Sequence, residues 1–268
     1  MKQLRYNIPK GYKPWKEIYA DVKHNYRLYD EAHENNLQPH QYTQEVASAF
    51  VQLMWVMEGQ GKLYTISKDL MTAFSNTDVS ESMFEGISLK SDEEAFCLLP
   101  PIGSLVNSKG ITLDWIAFSM TDKALDWDYK FIASGNYKVG QIFYNWTITW
   151  GINNGSLVWD EKKTKSFHQK DQENSRKVRN LVMQILIAQR FYPELFVQPK
   201  YTPGQGFIGK PKEQSPIIIG AGYKLQKKSD ASGSKTAQFR RGHYRNQPYG
   251  EGRSQRKLIW IEPVWVGI

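Results

Sequence analysis

The sequence has a single cysteine, Cys97, among its 268 residues. That excludes an internal disulfide framework and fits a reducing compartment. Phe96, Leu98 and Leu99 surround it, so the thiol reads as buried and inert rather than nucleophilic. No stretch approaches the roughly twenty apolar residues that span a bilayer. The opening Met1–Asn7 lacks the apolar run of a secretory signal. The expectation is a soluble, cytoplasmic protein without membrane contact.

Chemical motifs are as scarce. No nucleotide loop, nucleophile elbow or metal-ligand spacing occurs. His24, His33 and His40 do not share a helix face and form no metal motif. Asp114, Asp126 and Asp128 flank tryptophans in strands or turns and read as outward-facing carboxylates. Gly204–Gly209 copies the glycine spacing of a dinucleotide loop without the strand before it or the helix after it. No metal and no cofactor is therefore expected.

Apolar residues are plentiful, at 40%, and aromatic residues make up 13%. Such a chain buries a sizeable core as one large domain or two smaller ones. Charge is distributed unevenly. Residues 199–268 carry thirteen Lys and Arg against four Asp and Glu, while the rest carries 22 against 23. The net charge of +8 thus comes from the last quarter, an asymmetry that suggests a polyanionic partner.

Periodicity supplies the elements. Trp15, Ile18, Tyr19, Val22, Tyr26 and Tyr29 lie three and four apart, which predicts a helix over 15–33. A second helix is expected over 41–58, and a short one over 67–75 with Ser67 as its cap. From Ala95 the period becomes two. Strands are expected at 96–99, 111–120, 127–133, 141–150 and 157–159, rich in β-branched and aromatic residues. The strongest helical pattern runs over 171–192, with Val178, Leu181, Val182, Ile185 and Leu186 on one face and enough other apolar residues to bury it on more than one side. Arg176, Lys177 and Arg179 in its first half read as solvated. Proline- and glycine-rich loop follows over 198–216, then a short strand at 217–219 and a low-complexity segment over 226–238. The fold class is α+β: a mainly helical part at 1–92, and a part at 93–268 with a mostly antiparallel sheet and one long buried helix, the two parts being separate or continuous.

The last thirty residues hold the candidate site. Residues 240–257 read as a basic, glycine-punctuated loop, and 257–267 as an apolar strand that anchors it. Leu258 and Trp260 should share one face of that strand, and Ile259 and Ile261 the other, with Pro263 at an edge or bend. Three functions fit. Arg240, Arg241, Arg245, Gln247, Arg253, Arg256 and Lys257 could hold phosphates of a nucleic acid, RNA before DNA. His243, Arg245, Tyr249 and Lys257 could cleave RNA without metal, by proton transfer and charge stabilisation. The third reading is a structural role or contact with a protein partner, such as an antitoxin. Nucleic-acid binding is the leading expectation.

Arg241-Gly242-His243-Tyr244-Arg245-Asn246-Gln247-Pro248-Tyr249-Gly250, followed by Trp260-Ile261-Glu262-Pro263, resembles the C-terminal signature of a family of small bacterial proteins found on plasmids, phages and other mobile elements. Their pattern reads Gly-His-Trp-Arg-x-Gln, Tyr-Gly, then Trp-Ile-x-Pro, and Tyr244 stands here where Trp is usual. The resemblance implies a mobile-element, host-defence or toxin-like setting and assigns no catalytic residue.

Overall fold

The structure, a computed structural model, describes residues 7–35, 61–84, 95–106, 110, 112–124, 127–139, 142–154, 156–159, 172–199, 215–228 and 238–266. In chain order its elements are α1 (Trp15–Glu34), β1 (Gly61–Ile66), α2 (Lys68–Ser75), β2 (Thr77–Asp78), β3 (Ala95–Leu99), β4 (Ile116–Ala124), β5 (Trp127–Val139), β6 (Ile142–Asn153), β7 (Ser156–Trp159), α3 (Gln172–Phe191), β8 (Phe196–Val197), β9 (Ile217–Ile219), β10 (Gln226–Lys228), β11 (Gln238–Arg240), β12 (Gly242–Tyr249), β13 (Gln255–Ile261) and β14 (Val264–Val266).

Eight strands form the main sheet, in the order β7-β6-β5-β4-β3-β1-β9-β8. Strands β3 to β7 pair antiparallel in sequence order; two-residue connections join β4 to β5, β5 to β6 and β6 to β7, as tight hairpins require, and a longer one joins β3 to β4. Within this sheet the β3–β1 and β1–β9 pairings are parallel. The α+β class with a mostly antiparallel sheet therefore stands.

Side-chain alternation along the central strands divides the core in two. Tyr64, Ile66, Phe96, Leu98, Ile116 and Phe118 point into the larger cluster. There they meet α2 and α3, whose Leu70, Phe74, Leu181, Ile185 and Ile187 are buried. Leu63, Cys97, Leu99, Trp115 and Ala117 point the other way and are covered by Ile18 and Val22 of α1. Burying each large apolar side chain contributes about 1.5–3 kcal/mol. Cys97 is fully buried and desolvation pushes its thiol well up, so it is inert as expected.

Several expectations shift. The strand expected over 111–120 begins only at Ile116, because Thr112 bridges to Val106 and the Leu113 amide donates to the Leu105 carbonyl. Asp114 is not a solvated carboxylate: it is half-buried, and desolvation raises its pKa against the pull of Lys13. Arg176 and Lys177 are exposed as expected, but Arg179 is buried and its Nε donates to Asn180 Oδ1 at 3.4 Å. Residues 240–257 are not an open loop. They form the end of β11, all of β12, a turn and the start of β13. The helix expected at 41–58 and the glycines at 204–209 lie outside the described residues.

Candidate protein-docking surface

Alternation along β12 and β13 builds the C-terminal ribbon. Tyr244 lies opposite Trp260 and Asn246 opposite Leu258, which places those four side chains on one face. That face packs inward. Trp260 lies between Tyr223 and Tyr244, each ring 23° from its plane, and meets Phe74 edge-on at 5.4 Å between centroids. Its indole N–H donates to Thr77 Oγ1 at 3.2 Å. Leu258 is fully buried.

Polar groups fix this inner face. The Trp260 amide donates to the Tyr192 hydroxyl at 2.6 Å, and that hydroxyl donates to the Leu258 carbonyl at 3.3 Å. One phenol thus satisfies two backbone groups on the free edge of β13, as a residue of a neighbouring strand would. Tyr223 donates to Glu262 Oε2 at 2.9 Å. Desolvation holds the Tyr192, Tyr223 and Tyr244 phenols above the usual value, and the bond and charge of Glu262 push Tyr223 further. No local pattern in the sequence marks Tyr192 or Tyr223 as partners of this ribbon.

The other face looks outward. By register it carries His243 beside Ile261, Arg245 beside Ile259, Gln247 beside Lys257, and Tyr249 beside Gln255. His243, Arg245, Tyr249, Lys257 and Ile261 are exposed. Arg245 Nη2 donates to Gln247 Oε1 at 2.7 Å. The ribbon turns through Gly250 and Gly252, both with positive φ, where a side chain would be strained.

The four residues considered for RNA cleavage do share this face, but in a row. His243 and Tyr249 are six strand positions apart, about 20 Å. An acid and a base serving one phosphate must both lie within hydrogen-bond reach of it. The remaining basic residues are dispersed. Arg240 lies on β11 opposite Val264, Arg253 sits in the turn, and Arg256 falls on the alternate position to Lys257. Arg241 pairs with Asp78 at 2.8 Å.

Comparison with known proteins supplies the context. The family model described as AcrVA2-like, anti-CRISPR type V subtype A2, matches residues 64–268. The chain belongs to the AcrVA2-like family. Among solved structures it is similar to the crystal structure of AcrVA2, at 13% identity over 92% of this chain and 95% of that one, with a TM-score of 0.34. No curated protein matches it.

AcrVA2-like membership agrees with the mobile-element setting that the C-terminal signature implied. It overturns the leading expectation. An anti-CRISPR family implies a protein partner, an effector to be inhibited, so RNA or DNA binding through 240–257 does not stand as this chain's function. The third reading, contact with a protein, accords with the family. Among the described residues no helix is long and apolar enough to cross a membrane.

Proposed function

We propose that this chain inhibits a type V CRISPR effector by binding the effector protein, and that the outward face of the β12–β13 ribbon is the docking surface. The family match carries the first half of this reading. The second half is supported by the composition of the face. Tyr249 and Ile261 are large side chains left exposed, at 46% and 37%, and Arg245 lies between them along the ribbon. Tyrosine and arginine dominate the energetics of protein interfaces, because each combines apolar area with directional polar contact. His243, Gln247 and Lys257 complete the row, and Arg253 sits in the turn at its end. The cations favour an acidic patch on the effector and speed encounter with it. The Tyr192 hydroxyl and the Trp260 stack hold the ribbon rigid, which lowers the entropy cost of docking.

The test is binding of the purified chain to type V effectors by calorimetry or interferometry. Tyr249→Ala combined with Arg245→Glu leaves the inner face intact. It should weaken binding by about thirtyfold or more, the scale of an interface hot spot. Unchanged affinity in the double variant would remove the ribbon from the interface. Failure of the unaltered chain to bind any type V effector would remove the direct-contact reading altogether.

A further inference from the structure

Beside the ribbon lies a cleft of about 330 Å³ between α2, α3 and residues 104–106. One face of α3 forms its wall. Lys177, Asn180, Leu181 and Gln184 recur three and four apart and all line it. Phe74 and Leu105 supply apolar surface opposite, and Arg241, just before β12, completes it. Among the described residues no Asp or Glu lines the cleft.

Gln184 is the informative group. It is only 1% exposed. Its Nε2 donates to the Phe74 carbonyl at 2.8 Å. Only a nitrogen can donate to that carbonyl, so the orientation of the amide is fixed. Its Oε1 is buried and has no hydrogen-bond partner among the described residues. A buried acceptor left without a donor is costly, so the site calls for a hydrogen-bond donor, which a neutral side-chain amide supplies. The two cations call for negative charge. Lys177 is paired with Glu173 and Arg241 with Asp78, each at 2.8 Å, but all four side chains are exposed. Exposed pairs of this kind exchange partners at little cost.

We propose that this cleft binds an acidic peptide segment bearing a side-chain amide. An Asn or Gln side chain enters and donates its N–H to Gln184 Oε1. Flanking carboxylates of the segment meet Lys177 and Arg241. A lysine or arginine is repelled by those cations, and a purely apolar residue leaves the Gln184 oxygen dry. The volume suits one or two side chains, in a site with apolar walls and few placed polar groups. This inference rests on the protein-contact reading, because its ligand is a segment of a protein partner; Arg241, which lines the cleft, directly precedes β12.

The peptide acetyl-Glu-Gln-Glu-amide is the probe, titrated into the full chain and followed by NMR of the Gln184 and Asn180 side-chain amide signals. Acetyl-Lys-Gln-Lys-amide serves as control. A saturable shift with the acidic peptide, at least tenfold weaker with the basic one, is expected. Lys177→Glu with Arg241→Glu, both exposed and tolerant of change, should abolish it. No saturable shift, equal shifts with both peptides, or a shift that survives the double charge reversal each overturns the proposal. Effector binding is measured separately, with the unaltered chain. A failed titration beside intact effector binding therefore sinks the cleft alone, and a lost effector interaction sinks the reading beneath it.

Discussion

Gly242 has no room for a side chain. A Cβ there would stand 2.6 Å from Thr77 Oγ1, 2.8 Å from Pro263 Cδ and 2.9 Å from the Ile261 carbonyl oxygen. Two of these three neighbours are fixed by backbone or ring geometry and cannot move aside. The glycine that opens the Gly-His-Tyr-Arg signature thus lets β12 lie against β2, where Gly242 pairs with Thr77 and its amide donates to the Asn76 carbonyl at 2.9 Å. Gly242→Ala should destabilise the chain by about 1–3 kcal/mol, the usual cost of overpacking. Urea denaturation measures it. A variant as stable as the parent would mean that the β2–β12 contact gives way freely.

At the scale of elements, α2 was legible because every local signal agreed. Ser67 is its cap, and its side chain accepts from the Leu70 amide at 3.3 Å. Ser67→Ala should cost about 1 kcal/mol, read from the same denaturation midpoint, and Ser67→Asp should restore most of it. No loss in Ser67→Ala would show that tertiary contacts alone hold the helix. α1 and α3 were legible through their periodic apolar faces, as were β3 to β7 through alternation and composition. β1 was not. Leu63, Tyr64, Thr65 and Ile66 are all buried, so the strand lacks the polar face that alternation needs. The C-terminal ribbon was misread because glycine, proline and arginine between 242 and 256 suggested a loop. Pairing across the whole of β12 and β13 outweighs those local preferences, and the chain breaks at Pro263 to join β14 to a different sheet. Alternation does place Leu258 and Trp260 together on one face of β13, the face that packs inward. The cleft face of α3 was readable in principle, since Lys177, Asn180 and Gln184 share one helical face.

At the scale of the whole molecule, the ribbon that faces outward is joined to the core through three phenols around one indole. Tyr192, Tyr223 and Tyr244 all have raised pKa values, first of all because burial disfavours the phenolate. The sign of the consequence follows from linkage. A phenol in the unfolded chain loses its proton near pH 10, about its ordinary value. In the folded chain these phenols keep theirs to higher pH, so above that point the folded state binds more protons than the unfolded one. The stability tied to the neutral phenols is then complete below about pH 10 and is lost as the pH rises further. Tyr223 should contribute the clearest share, because its bond to Glu262 would place a phenolate against a carboxylate. Melting temperatures between pH 8 and 11 should therefore fall less steeply in Tyr223→Phe than in the parent. Lysines and exposed tyrosines titrate alike in both proteins, so the difference in slope isolates this hydroxyl. Parallel curves would mean that the ribbon is not fastened to the core through the Tyr223 proton, and its rigidity would have to come from the Tyr192 bridge and ring packing alone.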